Sequence, residues 1–259
     1  GLTPQEIFFY RFLIAYIGIW AISPKHLFAD NLKDELWLVA GGVFGGSLYF
    51  FTENTALGIT QASNVAFIIC TAPLLTTILS LLFYKSEKAT KGLIYGSLLA
   101  LIGVGLVVFN GSVVLKLSPV GDLLTLLAAL SWAFYSLVIK RMTGRYPTVF
   151  ITRKIFFYGV LTILPAFLLH PLQPDFDVLL QPLVLSNLLF LAVLASLICY
   201  ILWNVVLKQL GTMRASNYIY LNPLVTMVAS VLILHEQITW ITLMGAACII
   251  LGVYLAEKK

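Results

Sequence analysis

The chain has 259 residues, of which 60% are hydrophobic and 10% are charged, and its mean hydropathy is +0.98. Such a chain cannot cover a water-facing surface with polar side chains, which excludes a soluble globular protein. The net charge of +5 would suit an acidic partner such as nucleic acid. However, the basic residues fall in short loops, where orientation in a membrane explains them, so nucleic acid is not an expected partner. The sequence predicts a protein of the lipid bilayer.

Apolar segments follow one another along nearly the whole chain. A membrane-spanning helix needs about 20 mostly apolar residues. Nine segments qualify: residues 4–22, 36–56, 62–83, 92–109, 120–139, 148–169, 185–207, 215–234 and 240–256. They are too long for barrel strands of about 9–11 residues, and they carry Gly and Pro as spanning helices do. The predicted fold is an all-α integral membrane protein built as a bundle of transmembrane helices.

A repeated stretch divides the chain into two halves. Residues 57–64 (LGITQASN) recur, slightly altered, as residues 210–217 (LGTMRASN). The same landmarks follow each copy in the same order, namely Pro73, Glu87, Gly96 and Gly103, then Pro223, Glu236, Gly245 and Gly252. A repeat of this length predicts two homologous halves, residues 1–111 and 112–259, with the divide at 110–118.

The basic residues predict how the halves are oriented. Lysine and arginine favour the cytoplasmic side of short loops. If successive spans alternate, twelve of them collect on one side and Lys116 alone on the other, and the asymmetry reverses between the repeats. The halves are therefore predicted to lie inverted in the membrane, with a cytoplasmic C-terminus.

The repeat also predicts the number of spans. The second half holds five predicted spans and the first half four, so we expect a further helix before residue 1 and ten spans in the natural protein. A natural protein of nine spans is the alternative. No cleavable signal peptide is recognised, and the spans themselves would direct the chain to the membrane.

Small residues and prolines predict where helices pack and bend. Residues 41–47 (GGVFGGS) let helix backbones approach closely, and Gly92, Gly96, Ala100 and Gly103 share one helical face. Similar small residues along spans 92–109 and 240–256 leave both a monomer and a homodimer open. Pro73 and Pro223 lie near mid-span, where each is expected to bend its helix and help to shape a cavity.

Three ionisable residues within the spans are candidates for function, because charges in the hydrocarbon region are costly. Glu53 could contact a cationic substrate, carry a coupling proton or only reach the interface. Arg11 and Arg153 sit two turns into matching helices. They could bind an anionic substrate, or they could snorkel and hydrogen-bond helix ends.

Polar and aromatic side chains within the spans suit the binding of an amphiphilic solute. They occur around Pro223, in residues 200–204 (YILWN) and in residues 132–136 (WAFYS). Trp132 could instead belong to an interfacial aromatic belt. The predicted lining of a substrate cavity is Glu53, Trp132, Tyr135, Trp203, Asn204, Tyr220 and Asn222.

No enzymatic or metal motif is recognised. The sequence lacks a G-x-S-x-G elbow, an H-x-x-x-H pair and a phosphate-binding glycine loop, and its three histidines are scattered. Its three cysteines include no C-x-x-C pair and are interpreted as small packing residues. We therefore expect neither an enzyme nor a metal or other cofactor.

Over its whole length the chain resembles an EamA-type member of the drug/metabolite transporter superfamily. The resemblance rests on the tandem halves, on residues 129–136 (ALSWAFYS) and 200–204 (YILWN), and on residues 222–224 (NPL) with the glutamate and glycines that follow them. It implies two inverted repeats of five helices, cytoplasmic termini and a central cavity. It also implies alternating-access movement of small metabolites, often the export of amino acids or related compounds.

The sequence thus predicts a multi-pass transporter of the bacterial inner membrane that exports a small metabolite. Export is what the resemblance implies, and the sequence itself specifies no substrate, no direction and no coupling ion. A membrane component of another class remains the alternative, either one that handles lipid, such as a subunit of a lipid-carrier flippase, or one that binds a partner without transporting anything.

Overall fold

The computed structural model describes residues 2–23, 27–84, 88–109, 118–168, 171–172, 176–234 and 239–258. Within these ranges the regular structure is helical and no strand occurs. The α-helices are α1 (Pro4–Ile22), α2 (Leu32–Gly42), α3 (Leu48–Leu57), α4 (Ala62–Ile69), α5 (Ala72–Phe83), α6 (Lys91–Phe109), α7 (Pro119–Thr143), α8 (Thr148–Ile163), α9 (Phe176–Leu179), α10 (Pro182–Leu189), α11 (Cys199–Leu210), α12 (Thr212–Asn217), α13 (Asn222–Leu234) and α14 (Trp240–Glu257).

Seven helical stretches in the described residues are long and apolar enough to cross a membrane: Pro4–Ile22, Ala62–Phe83, Lys91–Phe109, Pro119–Thr143, Thr148–Leu168, Pro182–Leu210 and Trp240–Glu257. They coincide with seven of the nine predicted spans, which confirms an all-α integral membrane protein. The other two predicted spans, 36–56 and 215–234, are not among these stretches. The count of nine stays a prediction.

Local sequence signals explain several helix starts. The Thr3 side chain accepts a hydrogen bond from the Glu6 backbone N–H, and Glu6 Oε2 accepts one from the Thr3 backbone N–H at 2.8 Å. This reciprocal pair is a capping box, and Pro4 supplies the helical φ at the first position of α1. Asn31 caps α2 by accepting from the Asp34 backbone N–H at 2.8 Å.

Both predicted bend prolines begin a helix that follows an interruption. α4 ends at Ile69 and α5 begins at Ala72, which places Pro73 in the first turn of α5. A 3₁₀ segment, Tyr218–Leu221, similarly precedes α13 and Pro223. Proline fits a first helical turn because its missing N–H would have no intrahelical partner there.

The described residues form two compact units, and each draws on both sequence halves. Unit 1 contains residues 1–54 and 134–209, and unit 2 contains residues 55–133 and 210–259. The predicted division at 110–118 lies almost wholly outside the described residues. The two halves as sequence domains therefore stay a prediction.

The core of unit 1 is aromatic and closely packed. The Phe12 ring lies 4.3 Å from that of Phe8 and 5.1 Å from that of Phe156, measured between ring centroids. α2 continues through a π-helical segment, Val43–Ser47, into α3. A Cβ on Gly45 in that segment would overlap the Tyr135 ring, and one on Gly42 would overlap α8. The prediction that residues 41–47 allow close helix approach is confirmed.

Unit 2 is held by a close contact between α6 and α14. A Cβ on Gly103 would lie 2.6 Å from the Gly245 carbonyl oxygen, and Gly96 faces Gly252 in the same way. Gly92, at the start of α6, meets Leu255, near the end of α14. The two helices are therefore antiparallel, and the predicted face of small residues on α6 is confirmed as their contact surface.

Candidate functional site

The structure distributes the predicted cavity residues over both units. Glu53, Tyr135, Trp203 and Asn204 belong to unit 1, and Trp132, Tyr220 and Asn222 belong to unit 2. Tyr135, Asn204 and Tyr220 are fully buried, whereas Asn222 is exposed. Their common role in lining one cavity stays a prediction.

Glu53 lies within α3 and is half-buried. Its Oε1 atom accepts a hydrogen bond from the Tyr49 hydroxyl at 2.9 Å. The two residues are four apart on the helix and therefore share a face. The carboxylate thus has one fixed neutral donor and keeps further capacity to accept hydrogen bonds.

Arg11, within α1, is the basic residue that we consider as a partner for Glu53. Its Nε atom donates to the Ser196 hydroxyl at 2.9 Å, and its guanidinium lies 4.5 Å from the centroid of the Phe50 ring. The second distance allows a cation–π interaction. Phe50 and Glu53 both lie on α3, so this contact brings Arg11 to the helix that carries the carboxylate of opposite charge. Among the described residues, however, neither forms a direct ion pair. We call Arg11, Tyr49, Phe50, Glu53 and Ser196 the Arg11–Glu53 cluster.

Arg153 has a different environment, although sequence reasoning paired it with Arg11. Its side chain is 2% exposed, and Nη1 donates to the carbonyl oxygen of Ser23 at the end of α1. Hydrogen bonding to a helix end was one of the two predicted alternatives. The structure supports that alternative for Arg153, whereas Arg11 donates to the Ser196 hydroxyl.

Tyr135 and Asn204 form a hydrogen bond with each other. The Tyr135 hydroxyl donates to Asn204 Oδ1 at 2.7 Å, and Asn204 Nδ2 donates to the Thr152 hydroxyl at 2.9 Å. The Tyr200 hydroxyl donates to the Gly45 carbonyl oxygen at 2.6 Å. These bonds join α7, α8, α11 and the π-helical segment after α2. In this arrangement the polar groups of Tyr135 and Asn204 stabilise the packing of helices against one another.

Tyr220 packs in the apolar core of unit 2, against Cys70, Ala100, Val104 and Ile249. Polar contacts lie close by on neighbouring helices. Ser97 donates to Asn217 Oδ1 at 2.8 Å.

Two charged groups at the ends of helices in unit 1 were missed by sequence reasoning. Asp34 accepts from Arg145 Nη1 at 2.8 Å and from the Tyr146 hydroxyl at 3.1 Å. Burial raises the pKa of Asp34, but hydrogen bonds from Arg145, Asn31 and Tyr146 outweigh it and hold that pKa below its usual range.

Glu35 binds both Lys154 and the Tyr158 hydroxyl on α8. Burial raises the pKa of Glu35, and the hydrogen bonds from Lys154, Tyr158 and the Ala29 backbone lower it further than burial raises it. The sequence feature that could have indicated this contact is Lys154 itself, because a lysine inside an apolar segment predicts a carboxylate partner.

No group of three or more His, Cys, Asp or Glu side chains in the described part of the chain could hold a metal ion. Cys70, Cys199 and Cys248 are free thiols. The Glu87 and Glu236 landmarks and the three histidines lie outside the described residues.

Comparison with known proteins places the chain among membrane transporters. The model of the EamA-like transporter family matches residues 1–109 and 119–257. The chain is 28% identical to an uncharacterized transporter of Archaeoglobus fulgidus, over 100% of this chain and 89% of that protein. It is 27% identical to a probable amino-acid metabolite efflux pump of Salmonella typhimurium, over 90% of this chain and 80% of that protein.

A solved crystal structure shares the fold. It superposes with a TM-score of 0.80 at 18% sequence identity, and the match covers 99% of this chain and 88% of the other.

Proposed function

Because the chain belongs to the EamA-like transporter family, we propose that it is a secondary transporter that exports a small metabolite by alternating access. The cargo class we infer is an amino acid or a related amphiphilic compound, which agrees with the name of the Salmonella typhimurium relative. The membrane we infer is the bacterial inner membrane. We infer that the C-terminus lies in the cytoplasm because of the distribution of lysine and arginine.

The observation that carries the proposal is the Arg11–Glu53 cluster. Both residues lie in helices of unit 1, and the Pro4–Ile22 helix that carries Arg11 is a candidate membrane span. Ionisable side chains at such positions are costly, and they often mark the path of a solute or an ion. Since neither residue is used up in a direct ion pair with a described residue, each can accept an oppositely charged group of a solute. Glu53 can also take up a coupling proton.

Counterflow in proteoliposomes tests the proposal. Vesicles holding the purified protein are loaded with one unlabelled solute, and uptake of the labelled solute is followed for amino acids, nucleosides, sugars and organic cations. We expect saturable exchange of one class. If folded protein exchanges none of them, the lipid-handling or partner-binding alternative replaces transport.

The Glu53→Gln variant tests the role of the charge. It keeps an acceptor for the Tyr49 hydroxyl but removes the negative charge, so we expect exchange to slow by at least about tenfold, the effect of roughly 1.4 kcal/mol on a barrier. Glu257→Gln, which changes a carboxylate at the end of α14 in unit 2, is the matched control. Unchanged exchange by a folded Glu53→Gln protein would remove Glu53 from the mechanism.

A further inference from the structure

A cleft of about 190 Å³ opens in unit 2 beside the starts of α6 and α12. Its polar side chains are those of Lys88, Thr90, Thr212 and Arg214, Gly211 contributes backbone, and the rest of its lining is apolar. One water molecule needs about 10–15 Å³ by the same measure, so the cleft has room for a phosphate group. We call it the basic cleft.

The charge of the basic cleft is uncompensated within the described residues. Lys88 and Arg214 supply two cations, and none of the described residues that line the cleft is a carboxylate. Neither cation forms an ion pair with a described residue. Two cations in one concavity raise the local concentration of anions. The planar guanidinium of arginine also matches the geometry of phosphate oxygens.

The remaining polar lining adds groups that can contact an anion closely. Gly211 has a φ of +79°, and a Cβ built on it would meet no atom within 4 Å, so backbone is exposed to the cleft without a side chain. The Thr90 hydroxyl accepts from the Leu93 backbone N–H at 3.1 Å, which leaves its own proton free to donate. The cleft therefore combines charge with donors.

The surroundings of the basic cleft point to a lipid as the source of the phosphate. Leu210 in its lining is 41% exposed, and Ile94 and Tyr95 on the neighbouring turn of α6 are 45% and 67% exposed. Such a surface can carry acyl chains beside a bound headgroup. The basic loops predict that this end of the helices faces the cytoplasm, where anionic lipids give the leaflet its negative surface potential. We propose that the basic cleft binds the phosphate of an anionic phospholipid.

Binding is tested on the full-length chain in a neutral detergent, independently of transport. Melting temperature is measured while phosphatidylglycerol, phosphatidylcholine or inorganic phosphate is added in turn. We expect phosphatidylglycerol to raise the melting temperature in a saturable way and phosphatidylcholine to have little effect. An equal response to both lipids would overturn the proposal. A full response to inorganic phosphate, with nothing added by the lipid, would overturn the lipid source.

Two double variants identify the site. Lys88→Gln with Arg214→Gln is expected to weaken the apparent affinity for phosphatidylglycerol by roughly tenfold or more, since a hydrogen bond to a charged group is worth at least one decade. Lys33→Gln with Lys208→Gln removes the same charge from exposed positions outside the cleft and should leave the affinity unchanged. Equal weakening by both pairs would show general electrostatic attraction and overturn the site. If the first pair fails to fold, Lys88→Arg with Arg214→Lys is measured in its place. This pair keeps the charge and should retain binding, and loss of binding by the folded protein would overturn the proposal.

Discussion

Replacing Tyr135 by phenylalanine decides whether this residue fastens helices or contacts a solute. The substitution removes one hydroxyl and keeps the ring that packs on Gly45. That hydroxyl donates to Asn204 Oδ1 at 2.7 Å, and both side chains are 0% exposed. Phenylalanine therefore leaves a buried acceptor without this donor, and we expect the free energy of unfolding to fall.

The expected loss is about 1 kcal/mol. A buried acceptor left without a donor costs about 1–3 kcal/mol in water-soluble proteins. Hydrogen bonds between membrane helices average about 0.6 kcal/mol, with a maximum of about 1.7 kcal/mol, because the unfolded chain in the membrane also finds partners. The overlap of these ranges sets our value. Asn204 also donates to Thr152 at 2.9 Å, which holds the amide in place after the Tyr135 hydroxyl is lost.

A double-mutant cycle isolates this bond. Unfolding in mixed micelles is measured for wild type, Tyr135→Phe, Asn204→Leu and the double variant, and the coupling energy between the two sites is expected to be near 1 kcal/mol. Independent sites would give additive effects within about 0.3–0.5 kcal/mol. Counterflow on Tyr135→Phe should show an unchanged half-saturation constant for the exchanged solute.

The opposite pattern would refute this reasoning. Additive effects on unfolding, together with a clearly raised half-saturation constant, would mean that the two polar groups serve the solute. Tyr135 and Asn204 would then line the cavity, as the sequence predicts.

Two further predictions concern stability. Gly103→Ala should lower the melting temperature, because the added methyl group would overlap the Gly245 backbone. Overpacking of this kind lowers the free energy of unfolding by about 1–3 kcal/mol. Gly144→Ala meets no atom within 4 Å and should have little effect, and equal behaviour of the two variants would contradict the contact. Asp34 and Glu35 have lowered pKa values in the folded protein, so their carboxylates stabilise the fold. This stability is fully present above the usual pKa of about 4, and it is lost as the pH falls through the lowered pKa values. Melting temperature measured from pH 7 to pH 3 should therefore fall less steeply for Asp34→Asn than for wild type, and parallel curves would contradict this role.

Much of the fold could be predicted because hydropathy and small-residue spacing act locally along a helix. The glycines of α6 were assigned to a close-approach face from their spacing alone, and Gly103 lies against Gly245. The capping box at Thr3 and Glu6 joins two residues that are three positions apart, so it too depends only on the local sequence. Such signals do not depend on which helix is the partner.

The polar contacts could not be predicted, because they depend on which helices become neighbours. Sequence shows that Lys154 lies in an apolar run, but it does not show that Glu35, more than a hundred residues earlier, reaches it. It also shows that Tyr135 and Asn204 are polar groups within spans. Whether their atoms bind each other or a solute depends on helix rotation, which hydropathy does not specify.

The contact between α6 and α14 has the form of an isologous interface within a single chain. Gly96 and Gly245 are equivalent in the repeat, as are Gly103 and Gly252, and the observed pairs are Gly96 with Gly252 and Gly103 with Gly245. Exchanging equivalent residues therefore maps the contact onto itself, as in a two-fold dimer. A dyad that relates two antiparallel helices lies perpendicular to them. Since both helices are candidate membrane spans, a dyad perpendicular to them would lie in the plane of the bilayer, as the predicted inversion of the two halves requires.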